Sequence, residues 1–421
     1  MKNNFQKILK LVKNNELNQS IEAINGILNH EKNFDLISLK GFVYLKLKKF
    51  NKSYSCYSLA IKINNKSFPC FFWRATASFE LGEFEKSIID FKKALTINSK
   101  LYEVYENIGK CYSNLGKNSQ SVDYYNLALE INPNNPRLIE VLAEKLTETI
   151  APSNKINNVI KIDRAIKNLQ FKYSYNSIIE NKNIINFFSK AEDIINKDFK
   201  NLSFNESQIF RKNNLKLNCD RHFTIFRNYK IIPKFCFSCI KVTIYIENVI
   251  DLVKLFFIFN YISLPNNNLR KCMIDLRADT KKNYKGFIYC RSYDEAQEIK
   301  NIVDDIIKKN ISDKIEVNIK RGCSAFNKEY PGYENVIDSK IKYNNEWKKY
   351  EDAVDKKFPK FKLINKNQQT VSGISFHDIM IIKNWLFFAK LTNDNSYKKI
   401  ETKINFNPFL EEIIKKNKFQ N

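Results

Sequence analysis

The chain has 421 residues, 43% of them hydrophobic and 27% charged, and carries a net charge of +25. That length allows two or more domains, and the apolar share is that of a chain that folds. The charge points to an acidic partner such as nucleic acid or a membrane surface, but it rests on 60 Lys and only 10 Arg, and specific phosphate or base recognition would favour more Arg forks.

Nine Cys and no visible secretory signal in Met1–Leu11 argue for a reducing, cytoplasmic setting. The longest apolar run, Val249–Leu264, contains Asp251 and Lys254 and is too short to span a bilayer, so no membrane span is expected.

Residues Asn4–His30 read as a degenerate helix pair, with Leu17, Ser20, Ile21, Ile24 and Ile27 keeping the period of its second helix. From Phe34 to Asn135 one 34-residue unit occurs three times. Gly41, Ala75 and Gly109 align, as do Ser53, Ser87 and Ser121. Tyr57, Phe91 and Tyr125 align, then Ala60, Ala94 and Ala128. A fixed period of this length is the signature of a helical solenoid.

The stretch resembles the tetratricopeptide repeat (TPR) family. The third copy carries the pattern most fully, in Tyr105, Gly109, Tyr112, Leu115, Gly116, Ser121, Tyr125, Ala128 and Pro133. The second departs at Ser78 and Ser99, and the first at Asn65. The resemblance implies a helical repeat domain over residues 1–150. It also implies that the inner face of the first helices binds partner peptides. Carried over, that face is Phe42, Leu45, Phe72, Thr76, Phe79, Glu103, Glu106 and Lys110. It is apolar at one end and mixed in charge at the other, with no Lys/Arg cluster to grip a terminal carboxylate.

A further helix over Arg137–Thr149 is expected to cover the edge of the last repeat, before a polar break at Ala151–Asn158. Residues 151–212 read as a connector of two or three helices, and 213–330 as an α+β domain. There Lys241–Ile246, Cys272–Arg277, Gly286–Arg291 and Lys314–Lys320 alternate as strands, and Val249–Ile262 and Ser292–Asn310 are helical. This βαββαβ order is the ferredoxin-like arrangement. Residues 331–421 read as a mostly helical tail, with helices over Ser375–Leu391 and Pro408–Lys416. The fold class expected is therefore multidomain: an all-α solenoid, a ferredoxin-like α+β domain and a helical tail.

Three constellations in the second half could carry chemistry. Cys219-x2-His222 and Cys236-x2-Cys239 have the spacing of ligand pairs for a closed, structural zinc. The alternatives are ordinary core thiols or, for the second pair, a redox couple. The stretches Ile244–Val249 and Lys285–Tyr289 resemble the two short motifs of the RNA-recognition-motif family, which implies an RNA-facing set of Tyr245, Lys285, Phe287 and Tyr289. The competing reading, which the abundance of Tyr and Phe favours, is a sheet whose aromatics pack under the helical tail. Lys320–Ser324 has a Gly after two basic residues, either an anion cradle or a solvated turn.

With three His and no phosphate loop or nucleophile elbow, no catalytic residue is assigned and no small-molecule cofactor is evident. The reading is a TPR scaffold that binds protein partners, with a C-terminal domain of undetermined activity. The alternatives are an RNA-binding protein and an enzyme whose site lies in the C-terminal half.

Overall fold

The structure, a computed structural model, describes residues 2–29, 32–150, 157–174, 176–213, 215, 217–277, 282–363, 369–400 and 404–418. The chain divides into two compact units, 1–133 with 349–365, and 134–348 with 366–421.

The first unit begins with four helix pairs: α1 (Lys2–Lys13) with α2 (Leu17–Leu28), α3 (Phe34–Lys46) with α4 (Phe50–Ile63), α5 (Phe68–Glu80) with α6 (Phe84–Ile97), and α7 (Tyr102–Asn114) with α8 (Asn118–Ile131). The aligned residues explain the pairing. Ser53, Ser87 and Ser121 each donate a hydroxyl to the backbone carbonyl of Gly41, Ala75 and Gly109, at 2.8, 2.8 and 2.9 Å. A Cβ on Gly41 or Gly109 would lie 2.9 or 3.0 Å from the ring of Tyr57 or Tyr125. The small residue therefore makes room for the aromatic of the partner helix. Each pair turns through one left-handed residue, Lys48, Gly82 or Gly116, whose two flanking amides close the turn onto the first helix.

The first pair is a repeat with its packing exchanged. Its turn residue is Asn15, at φ 62. Ile8 and Ile24, buried in one cluster, stand where the later pairs have the small residue and the aromatic. Ser20 bonds locally to the Leu17 carbonyl instead of crossing to α1. His30 lies outside the described residues.

The second unit contains α9 (Pro136–Leu146), α10 (Asn158–Lys167), α11 (Asn181–Asn196), β1 (Gln208–Arg211), α12 (Cys219–Tyr229), α13 (Lys234–Phe237), β2 (Ile240–Ile246), α14 (Val249–Tyr261), β3 (Arg270–Ile274), β4 (Tyr284–Cys290), α15 (Tyr293–Asn310) and β5 (Glu316–Arg321). Then come α16 (Lys348–Lys357) and α17 (Lys360–Leu363), most of whose residues return to the first unit, and finally α18 (Phe376–Leu391) and α19 (Pro408–Lys418) in the second.

From β2 to β5 the expected βαββαβ order is present. The strands form one antiparallel sheet in the order β1-β3-β4-β2-β5. β1 departs from expectation, because Gln208–Arg211 was read as the end of a helical connector. Four residues extended along the free edge of β3, with Ile209 buried, carry too little pattern to announce a strand. The helix α9 belongs to the second unit, where it packs against α10 and α18. The expected break at 151–158 lies, through residue 156, outside the described residues.

Within the helical tail, α18 is a central element of this unit. Every residue from Phe376 to Ala389 is buried, so its polar side chains must be paired. Arg211 grips Asp378 through two nitrogens at 3.1 and 3.0 Å. Lys383 meets Glu192 at 2.8 Å, and Asn384 donates to the carbonyls of Phe204 and Glu206. Trp385 Nε1 donates to Ser207 O at 2.9 Å. Ser375 starts the helix with a capping box to Asp378.

Candidate functional site

In the first unit the residues expected to face a partner are mostly half-buried, and they fall into two groups. Phe42 and Phe72 both pack edge-on against Trp73, at 5.7 and 5.0 Å between ring centroids, and Phe72 continues to Phe91 at 5.5 Å. Phe79 meets Phe84 at 5.4 Å. These rings close the solenoid core as much as they line a face. Leu45 is half-buried, and Thr76 bonds its own helix at Phe72 O. Glu106 is buried and paired with Lys110 at 2.7 Å. Glu103 has a buried carboxylate oxygen without a hydrogen-bond partner. Trp73, absent from the expected set, joins the aromatic row.

One segment of the chain already sits on this unit. Residues 349–363 place the Phe358 ring 6.4 Å from Phe50, under the ammonium of Lys48 at 5.4 Å. Lys360 reaches Glu80 at 2.7 Å and lies over the Phe79 ring at 5.7 Å. Phe50 and Glu80 carried no sequence signal, because their role depends on a segment almost 300 positions away.

The expected zinc ligands Cys219, His222, Cys236 and Cys239 do line one small cavity of the second unit, joined by Cys323. They do not form a metal centre: among the described residues no three His, Cys, Asp or Glu side chains are placed to hold an ion. Cys219 and His222 lie in the first turn of α12, and Cys236 lies on α13. The His222 ring stacks on Phe235 at 5.1 Å, and the Cys236 carbonyl accepts from the Tyr333 hydroxyl. Burial, ahead of the neighbouring thiols and lysines, pushes Cys219 up to about 12 and Cys239 to about 11. Thiols held protonated in this way are poor nucleophiles.

The RNA face is corrected in the same way. Lys285, Phe287 and Tyr289 do share one sheet face, but they are buried, at 5, 6 and 5% exposure. Phe210, Leu215, Leu217 and Cys239 pack over Phe287 and Tyr289. Lys241 caps the Phe287 ring at 4.5 Å. Lys285 is spent on Asp275 at 2.7 Å. Tyr245, half-buried, is bonded by Lys320 at 3.0 Å. Phe287 and Tyr289 are thus covered by the segment before β2 and are not open for bases to stack on.

The turn after β5 is not an anion cradle either. The Gly322 amide donates to Cys239 O at 2.7 Å, and the Arg321 guanidinium to Val336 O at 2.9 Å. Gly322 has φ +54, and a Cβ there would collide with the Tyr333 ring. The glycine serves packing.

Comparison with known proteins agrees with the helix pairs. Residues 35–67, 68–101 and 102–135 match the family described as Tetratricopeptide repeat. Comparison with curated proteins finds no match. Solved structures with similarity include a crystal structure of MamA, 14% identical, covering 45% of this chain and 94% of that one at TM-score 0.33. MamA from residue 41 to its end, from Desulfovibrio magneticus RS-1, is 10% identical and covers 34% of this chain and 82% of that one at TM-score 0.33. The Arabidopsis OM64 TPR domain is 26% identical and covers 27% and 93% at TM-score 0.26. Among the described residues no helix is long and apolar enough to cross a membrane.

Proposed function

From three tetratricopeptide repeats over residues 35–135, we infer that this chain is an interaction scaffold whose first unit captures a protein partner. The observation that carries the reading is the segment 349–363, whose Phe358 and Lys360 find an aromatic and an acidic partner on the repeats. A surface that takes an aromatic-plus-lysine segment from its own chain has the chemistry to take one from another. The partner face proposed runs from Phe42, Leu45, Phe72, Thr76 and Phe79 to Glu103, Glu106 and Lys110, and we extend the proposal to Trp73, which packs on Phe42 and Phe72, and to Glu80, which pairs with Lys360. The nine free thiols suit a reducing, cytoplasmic setting.

Substitution separates the face from the core. Phe79→Ala with Glu103→Lys should cut partner recovery from native lysate at least fivefold, measured by quantitative mass spectrometry, with circular dichroism unchanged. Unchanged recovery from a folded variant would remove this face as the binding surface.

A further inference from the structure

The second unit holds a cavity of about 130 Å³ where three elements meet. Glu144 reaches it from the end of α9, Glu206 and Lys212 from either side of β1, and His377 and Asp378 from the first turn of α18. His377 is 7% exposed, and its Nε2 has no hydrogen-bond partner. Buried polar atoms are nearly always satisfied, so an orphan facing a cavity marks a place for a bound group.

The charges around it decide which group. Lys212 is held by Glu148 at 2.5 Å, and Glu148 also takes Lys145. Asp378 is held by Arg211. Neither Glu144 nor Glu206 has an ion pair among the described residues. Burial, then the Glu144 carboxylate, raises the Glu206 pKa against the opposing charge of Lys212. Burial outweighs the carboxylates of Glu144, Asp378 and Glu148 and lowers the His377 pKa, with the Lys212 charge acting in the same direction as burial. A ring whose charged form is disfavoured in this way can accept a hydrogen bond at Nε2 when its proton sits on Nδ1. An anion would meet two uncompensated carboxylates. A metal ion is a poor fit, because no three ligating side chains among the described residues are placed for one. What remains is a cation that brings its own N–H groups.

We propose that this cavity binds a small organic ammonium, its N–H groups shared between the Glu144 and Glu206 carboxylates and His377 Nε2. The volume accommodates a molecule of the size of ethylammonium. Glu206 is exposed at the rim, which leaves a way in. The site is separate from the repeat surface and stands whether or not that surface binds a partner.

The test titrates the full chain with ethylammonium, with tetramethylammonium and acetate as probes that lack either the N–H donors or the positive charge. Binding is followed by thermal shift and by the imidazole NMR signals of His377. The expected result is a saturable shift with ethylammonium alone, weakened at least tenfold by Glu206→Gln and by Glu144→Gln. No saturable response to ethylammonium overturns the proposal, as does an equal response to tetramethylammonium. Undiminished binding by folded Glu206→Gln overturns it too. That residue sits at the rim, so this variant keeps the test open even if Glu144→Gln fails to fold.

Discussion

Gly109 and Gly26 both sit inside helices, yet substitution should act on them in opposite directions. Alanine in place of a helical glycine gains up to ~1 kcal/mol from backbone entropy. At Gly26 nothing lies within 4 Å of the new Cβ, so Gly26→Ala should show that gain. At Gly109 the Cβ would press on Tyr125 at 3.0 Å, a ring with only 2% exposure and no room to retreat. Overpacking of this kind costs about 1–3 kcal/mol, and Gly109→Ala should be net destabilising by ~1 kcal/mol in urea unfolding. Lys271 makes a second case at this scale. Burial, helped by Lys241, holds it down to about 8. The unfolded chain keeps that proton to about pH 10.4, so between those values the unfolded state binds more protons and stability rises with pH. Below pH 8 the penalty is fully present. Lys271→Met should therefore stabilise at pH 7 by ~1–3 kcal/mol, less whatever is lost with its hydrogen bond to Gln208 at 2.9 Å. The gain should fade by pH 10, and urea midpoints at the two pH values would read it.

At the scale of elements, the segment 349–363 is the one whose removal says most. Its seat is narrow: Phe358 on Phe50, and Lys360 on Glu80 and Phe79. Phe358→Ala with Lys360→Glu should release it, speeding hydrogen exchange of the α16 amides at least tenfold while α3 to α8 keep their protection. If the segment competes with a partner, the same variant should recover more of that partner than the parent chain does. What the sequence disclosed at this scale follows from distance. The repeats were readable because Gly41 with Tyr57, and Gly109 with Tyr125, solve their packing 16 residues apart, and the solution recurs every 34. The βαββαβ order was readable because short apolar or alternating runs for the strands sit between the two long helical stretches Val249–Ile262 and Ser292–Asn310. The helix α12 was not, because Cys219 and His222 invited a metal reading, whereas the His222 ring stacks on Phe235, 13 positions on. The helix over α18 was legible, but its burial and the cavity at His377 were not: Arg211 and Asp378 are 167 positions apart, and nothing local to either announces the other.

For the whole molecule, the path of the chain matters more than its list of elements. Residues 349–365 belong to the first unit, while the sequence on both sides of them belongs to the second. The second unit is thus completed only after the chain has left it and returned. Its returning piece is no appendage, since α18 is buried along its length and binds Arg211, Glu192 and the backbone around Phe204. A chain ending at residue 348 would leave Arg211 buried without Asp378 and would expose the faces of α10 and α14 that α18 covers. Breaking a buried ion pair by losing one partner costs about 3–5 kcal/mol by itself, a large part of the ~5–15 kcal/mol that holds a domain together. The shortened chain should therefore lose the cooperative unfolding of the sheet-containing unit, while the repeats, whose helix pairs contact their neighbours in sequence, keep most of their helical signal. Far-ultraviolet circular dichroism with proteolysis would separate the two. A protected sheet in the shortened chain would mean that β2 to β5 with α14 and α15 fold alone, and that α18 is added to a finished domain instead of completing one.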